Sequence, residues 1–175
     1  MLEPTDGGFS PENLATLDRL IRSVDLAEGF ALFFARCNIP VLRRQLIDAA
    51  TNRLASLGVS VIEIAFEEEI INLRTRLRGA LLANRGDAVA ALVELPMASE
   101  LAAVAEPATT YAVDRKQTLF VTGLENSISY SQPNTRLLAE LNLGRDLFRR
   151  DAPHPLVLWL PDYALTAVAR YAPDF

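Results

Sequence analysis

FALFFARCNIPVL, residues 30–42, holds the information that decides the fold. Phe30 to Ala35 is a short, continuous apolar run, the pattern of a strand buried on both faces of a parallel sheet. Asn38-Ile39-Pro40 follows as a turn and helix entry, and Pro40 suits the first helical turn because its missing N–H has no partner there in any case. Apolar residues then recur at helical spacing from Val41 to Leu57 (Leu42, Leu46, Ala49, Leu54, Leu57), and Gly58 closes that helix.

The same alternation extends outward in both directions. Upstream, Ser10-Pro11-Glu12 has the cap, the proline and the acid of a helix start, with Leu14, Leu17, Ile21 and Val24 on its inner side and Gly29 at its end. Downstream, Val59 to Phe66 reads as a second strand and Glu67 to Ala83 as a helix led by three glutamates. Residues 87–95 (DAVAALVEL) fit a strand or a short helix equally well, and residues 96–117 are irregular. Thr118 to Gly123 is a buried strand, and 127–133 a polar loop. Asn134 to Arg149 is a helix, Pro153-His154-Pro155 a break, Leu156 to Leu160 a strand and Asp162 to Tyr171 a last helix.

Strands alternating with amphipathic helices imply one α/β domain over residues 1–175, a three-layer sandwich with four or five largely parallel strands. Half of the 175 residues are apolar, enough for a single core. Ligands of such folds sit at the carboxyl ends of the strands. The loops of interest are therefore Arg36–Pro40, Phe66–Glu69, Leu124–Pro133 and Pro161–Tyr163.

Composition narrows the function classes. Seventeen basic against 22 acidic residues, a net charge of −5, argue against a nucleic-acid surface. No apolar run reaches the roughly 20 residues that span a bilayer, and the N-terminus lacks a signal-peptide core. The expectation is a soluble cytoplasmic protein. Cys37 and His154 are single, too few for a disulfide or a zinc site. As a nucleophilic pair they fall at opposite ends of parallel strands, roughly 17–20 Å apart, where hydrogen-bond reach is required. Cys37 is expected to be buried and inert.

The turn between the first strand and its helix is where a phosphate loop, G-x-x-x-x-G-K-[ST], would lie. Residues 35–42 contain neither glycine nor lysine, and Pro40 removes one amide donor. Arg36, Arg43 and Arg44 lie near the helix start, within range of an anion, but are expected to form a solvated helix face. Four carboxylates, Glu67, Glu94, Glu125 and Asp162, fall at strand ends where oxygens hold magnesium. Without a D-x-D-like spacing they are expected to cap helices, and no metal or cofactor is expected. Tyr130 and Tyr163 are expected to anchor loops, and Trp159 to pack in the core.

The strand Leu119-Phe120-Val121-Thr122-Gly123-Leu124-Glu125-Asn126 resembles the Walker B region of signalling ATPases, the STAND group of AAA-like P-loop NTPases. Those carry Asp-Gly-Leu-Asp-Glu after an apolar strand. Here Thr122 stands at the magnesium aspartate, Gly123 and Leu124 match, and Glu125 and Asn126 replace the second aspartate and the glutamate. Residues 138–175, with LNLGRDLFRR, PLVLWLPDYAL and APDF, resemble an N-terminal domain of bacterial proteins that continue into tetratricopeptide repeats, as do residues 30–38 and 120–125. The resemblance spans most of the chain except residues 67–117, and it implies an NTPase-like module within a longer signalling or defence protein, of which this chain is a fragment or a truncated member. The expected function is non-catalytic protein recognition or regulation, with protein partners or adjacent repeat domains. The alternative is a nucleotide binder or enzyme with a non-standard site built from Arg36, Asn38, Glu125 and Asp162. A third reading is a dimerisation module.

Overall fold

A computed structural model describes residues 8–84, 116–128 and 135–175, without the side chains of Thr135 and Arg145. Five helices and four strands alternate among the described residues: α1 (Pro11–Leu26), β1 (Ala31–Arg36), α2 (Pro40–Ser56), β2 (Ser60–Ala65), α3 (Leu73–Asn84), β3 (Gln117–Thr122), α4 (Thr135–Asp151), β4 (Pro155–Leu160) and α5 (Asp162–Tyr171). A 3-10 turn, Leu124–Ser127, follows β3. All strand pairs are parallel, in the order β1-β4-β3-β2.

Helices cover both faces. On one, α1 and α2 bury Leu17, Ile21, Val24, Ile47, Ala50 and Leu54 against Phe120, Val157 and Trp159. On the other, α3, α4 and α5 bury Leu73, Leu77, Leu141, Phe148, Ala164 and Val168 against Leu119, Val121, Leu156 and Leu158. The architecture is the three-layer α/β sandwich that the alternating pattern predicts. β4 is buried along its whole length, as expected of a central strand covered on both faces. Its amino end is fixed by the Thr118 hydroxyl, which donates to the carbonyl of Pro155 (3.0 Å).

Local chemistry accounts for the start of α1. Ser10 Oγ accepts from the N–H of Asn13 (3.2 Å), the N-cap bond that its position ahead of Pro11 calls for.

The structure corrects two readings. The helix expected from Glu67 begins only at Leu73. Asn72 Oδ1 accepts from the Thr75 N–H (2.8 Å) and caps the helix there. The N–H of Ile70 instead donates to Ser127 Oγ (2.8 Å), and Asn126 Nδ2 donates to the Phe66 carbonyl (2.8 Å). Those loop bonds satisfy the Phe66 carbonyl and the Ile70 N–H outside a helix. The second correction concerns β1, which pairs with β4 alone among the described strands and lies at a sheet edge, with Phe34 39 % exposed. Residues 87–95, the irregular stretch before Lys116, Glu94 and Tyr130 fall outside the described residues.

Among the described glycines, Gly123 is the one whose replacement the fold opposes twice. Its φ is +79°, and a Cβ there would overlap the carbonyl oxygen of Phe66 well inside van der Waals contact. The β3 exit thus runs directly against the β2 exit.

Candidate functional site

Parallel strands discharge their loops at one edge, and four side chains of interest meet there. Arg36 ends β1, Asn38 sits in the β1–α2 loop, Glu125 lies in the turn after β3, and Asp162 is the first residue of α5. The structure joins three of them. Asn38 Nδ2 donates to Asp162 Oδ2 (2.7 Å), and the Asp162 N–H returns a bond to Asn38 Oδ1 (2.8 Å). Arg36 Nε lies 3.4 Å from Asp162 Oδ1. Asp162 stands in the first turn of α5, where a carboxylate also meets the positive end of the helix dipole.

Glu125 is held apart from that trio by a different partner. Arg43 Nη1 donates to Glu125 Oε1 at 2.5 Å and to the Trp159 carbonyl at 3.3 Å. The two side chains are only 12 % and 15 % exposed. Arg43 is therefore no solvated helix-face residue, as had been expected, whereas Arg36 and Arg44 do face solvent. Its position was legible: Arg43 lies one turn before the buried Leu46 and Ile47, on the inner side of α2. An arginine on an apolar face needs a buried acid, and Glu125 is that acid.

Tyr163 adjoins this pair. Burial pushes its hydroxyl pKa above the usual 10.0, the Glu125 charge pushes the same way, and Arg43 opposes both. Glu125 Oε2 is buried without a hydrogen-bond partner among the described residues.

The helix start of α2 lacks the parts of an anion cradle. Ile39 at the N-cap makes no side-chain cap bond, Pro40 has no N–H, and the Arg43 N–H is used by the Ile39 carbonyl (2.9 Å). Ile39 and Val41 project into solvent there instead, Val41 at 70 % exposure. An incoming phosphate would meet apolar surface and two arginines already facing the chain's own carboxylates. The described residues hold no group of three or more His, Cys, Asp or Glu placed to bind a metal. Glu67 and Asp162 are both exposed, and Glu67 neither caps nor begins α3. Cys37 is buried, its Sγ 3.5 Å from the Ile39 carbonyl. His154 precedes β4 while Cys37 follows β1, and the register Ala31 with Pro155 and Arg36 with Leu160 sets them at opposite ends of the sheet. No helix among the described residues is long and apolar enough to cross a membrane.

No protein-family model, curated protein or solved structure matches this chain.

Proposed function

We propose that this domain is a non-catalytic, NTPase-like module that serves protein recognition or regulation inside a multidomain bacterial signalling or defence protein of the cytoplasm, beside repeat domains. The observation that carries the reading is the self-pairing of the carboxyl edge. Arg43 is committed to Glu125, and Arg36 and Asn38 to Asp162. A phosphate would have to displace short, charge-assisted bonds to reach either arginine. Thr122 where the resembling ATPases place their magnesium aspartate supports the same reading.

Calorimetric titration with magnesium-ATP and with ADP into the millimolar range tests it. The expected result is no saturable heat from a folded domain. Saturable binding that Arg36→Ala weakens would replace this reading with that of a nucleotide binder.

A further inference from the structure

α4 packs against both α3 and α5 on its face of the sheet. Leu137, Leu141 and Phe148 turn its inner side into the core. The opposite side carries Arg136, Ala139, Leu143, Asp146 and Arg150, all exposed. Their spacing alternates three and four residues, which sets them on one narrow stripe, the seam of a coiled coil. Leu143 lies at its middle and is 85 % exposed, more than any other large apolar side chain among the described residues. A lone exposed leucine is ordinary. What sets this one apart is the order of its neighbours.

Two copies of the stripe, laid antiparallel about an axis through residue 141, match from 136 to 146. Arg136 of each copy meets Asp146 of the other, and Leu143 of each meets Ala139 of the other. A two-fold interface requires this reciprocity. The small alanine leaves a hole for the leucine, so the helix axes can approach to roughly 8–10 Å. The two ion pairs fall about 15 Å apart along the helix, at a rise of about 1.5 Å per residue, and flank the apolar centre. Asp146 has no ion pair among the described residues. The Arg136 guanidinium has several N–H donors, enough for an acceptor on the second copy beside its contacts within the chain.

Other arrangements of the same stripe set groups against one another that do not match. Parallel helices would place Arg136 on Arg136 and Asp146 on Asp146. An antiparallel pairing shifted along the seam, with Leu143 opposite Asp146, would set the leucine against a carboxylate and Ala139 against Arg150.

We propose that the outer stripe of α4 docks a second copy of this chain, packed antiparallel in a two-fold dimer. The contact is one helix wide, smaller than a standard interface, and fits weak, reversible association on the order of 10–100 µM. It uses no residue of the carboxyl edge, so it stands or falls apart from the recognition reading and from nucleotide binding at that edge.

Sedimentation equilibrium of the full chain, from about 5 µM to about 1 mM, tests it. The expected result is a monomer–dimer equilibrium that weakens as salt rises, because the flanking ion pairs are open to solvent. Leu143→Glu puts two like charges near the axis and is expected to raise the dissociation constant at least about thirtyfold. Arg136→Glu and Asp146→Arg each bring like charges together, and each is expected to raise it at least about tenfold. The double variant Arg136→Glu/Asp146→Arg restores opposite charges at both ends and is expected to return to within about threefold of the unmodified chain. Unchanged melting of dilute samples confirms that each variant folds. A monomer through the whole concentration range overturns the proposal. A dimer that Leu143→Glu leaves intact overturns it in favour of another surface. A double variant no tighter than the single reversals overturns the antiparallel pairing.

Discussion

Two charged clusters lie under the surface, and they solve the same problem differently. At the carboxyl edge, one arginine meets one carboxylate: Arg43 and Glu125 at 2.5 Å, with the Trp159 carbonyl as a second acceptor. Between α3 and α4, one arginine serves two carboxylates: Arg74 lies 2.8 Å from Asp151 and 3.9 Å from Glu140. Arg150 reaches Asp151 from the solvent side (2.8 Å). Both arginines lie closest to Asp151, and Glu140 is left with the more distant contact to Arg74, so the two acids differ. Burial raises the Glu140 pKa above 4.5 although Arg74 pulls it down, whereas the Arg150 hydrogen bond takes the Asp151 pKa below 3.8. A one-to-one pair is a lock; a shared cation makes a cluster that responds to pH.

The largest expected effect comes from breaking the seat of the first cluster. Gly123→Ala forces a Cβ onto the Phe66 carbonyl at a positive φ, two residues before Glu125. A loss of about 3 kcal/mol or more is expected in urea unfolding. Wild-type stability in this variant would mean that the β2 and β3 exits yield easily, and that the lock is loose.

Removing the cations compares the clusters directly. Arg43→Met leaves Glu125 buried and uncompensated, with an expected cost of about 3 kcal/mol. Arg74→Met is expected to cost less, about 2 kcal/mol, because Asp151 keeps Arg150 and Glu140 takes up a proton more readily. The double variant Arg43→Met/Glu125→Leu should recover most of the single loss. The reverse ranking of the two arginines would overturn the distinction between lock and shared cluster.

The smallest effect is the pH response. Glu140, with its folded pKa raised, contributes stability that is fully present below its unfolded value near 4.5 and lost as pH rises through the folded value. Asp151, with its folded pKa lowered, contributes stability present above about 3.8 and lost as pH falls through the folded value. Acidification from neutral pH should therefore first add and then remove stability at this cluster. Glu140→Gln should abolish the first step and keep the second, read as unfolding midpoints across the acid range. An unchanged first step in Glu140→Gln would assign it to another acid.

Period and punctuation in the sequence were enough to identify most of the elements. α1, α2 and α5 begin and end within a residue or two of the limits that Ser10-Pro11, Pro40, Gly58 and Pro161 imply. The α3 start was misread because Glu67–Glu69 has the charge of a first turn, while the cap that decides, Asn72, lies further along. Strand order was not legible: an apolar run such as 31–35 specifies burial, and whether one or two strands flank it is set by tertiary pairing with residues 155–160. Arg36, Asn38, Glu125 and Asp162 were found because parallel strands put their exits on one edge. Which of them pair was not legible: the inward side of Arg43 can be read from the helical period, but its partner Glu125, 82 residues away, is set by tertiary structure.

The edge position of β1 has a consequence for the nascent chain. Its partner residues begin at Pro155, against Ala31 in β1, a separation of 155 − 31 = 124 residues. At synthesis rates of roughly 5–20 residues per second, that is on the order of ten seconds. Through that interval Phe33 and Phe34 wait for β4, their partner among the described strands, while β2, β3 and their helices are being made. The first of the described strands to be made is the last of them that can be zipped into the sheet, and for those seconds the chain offers any nearby polypeptide the same backbone groups that the folded domain leaves without a described strand partner on one side.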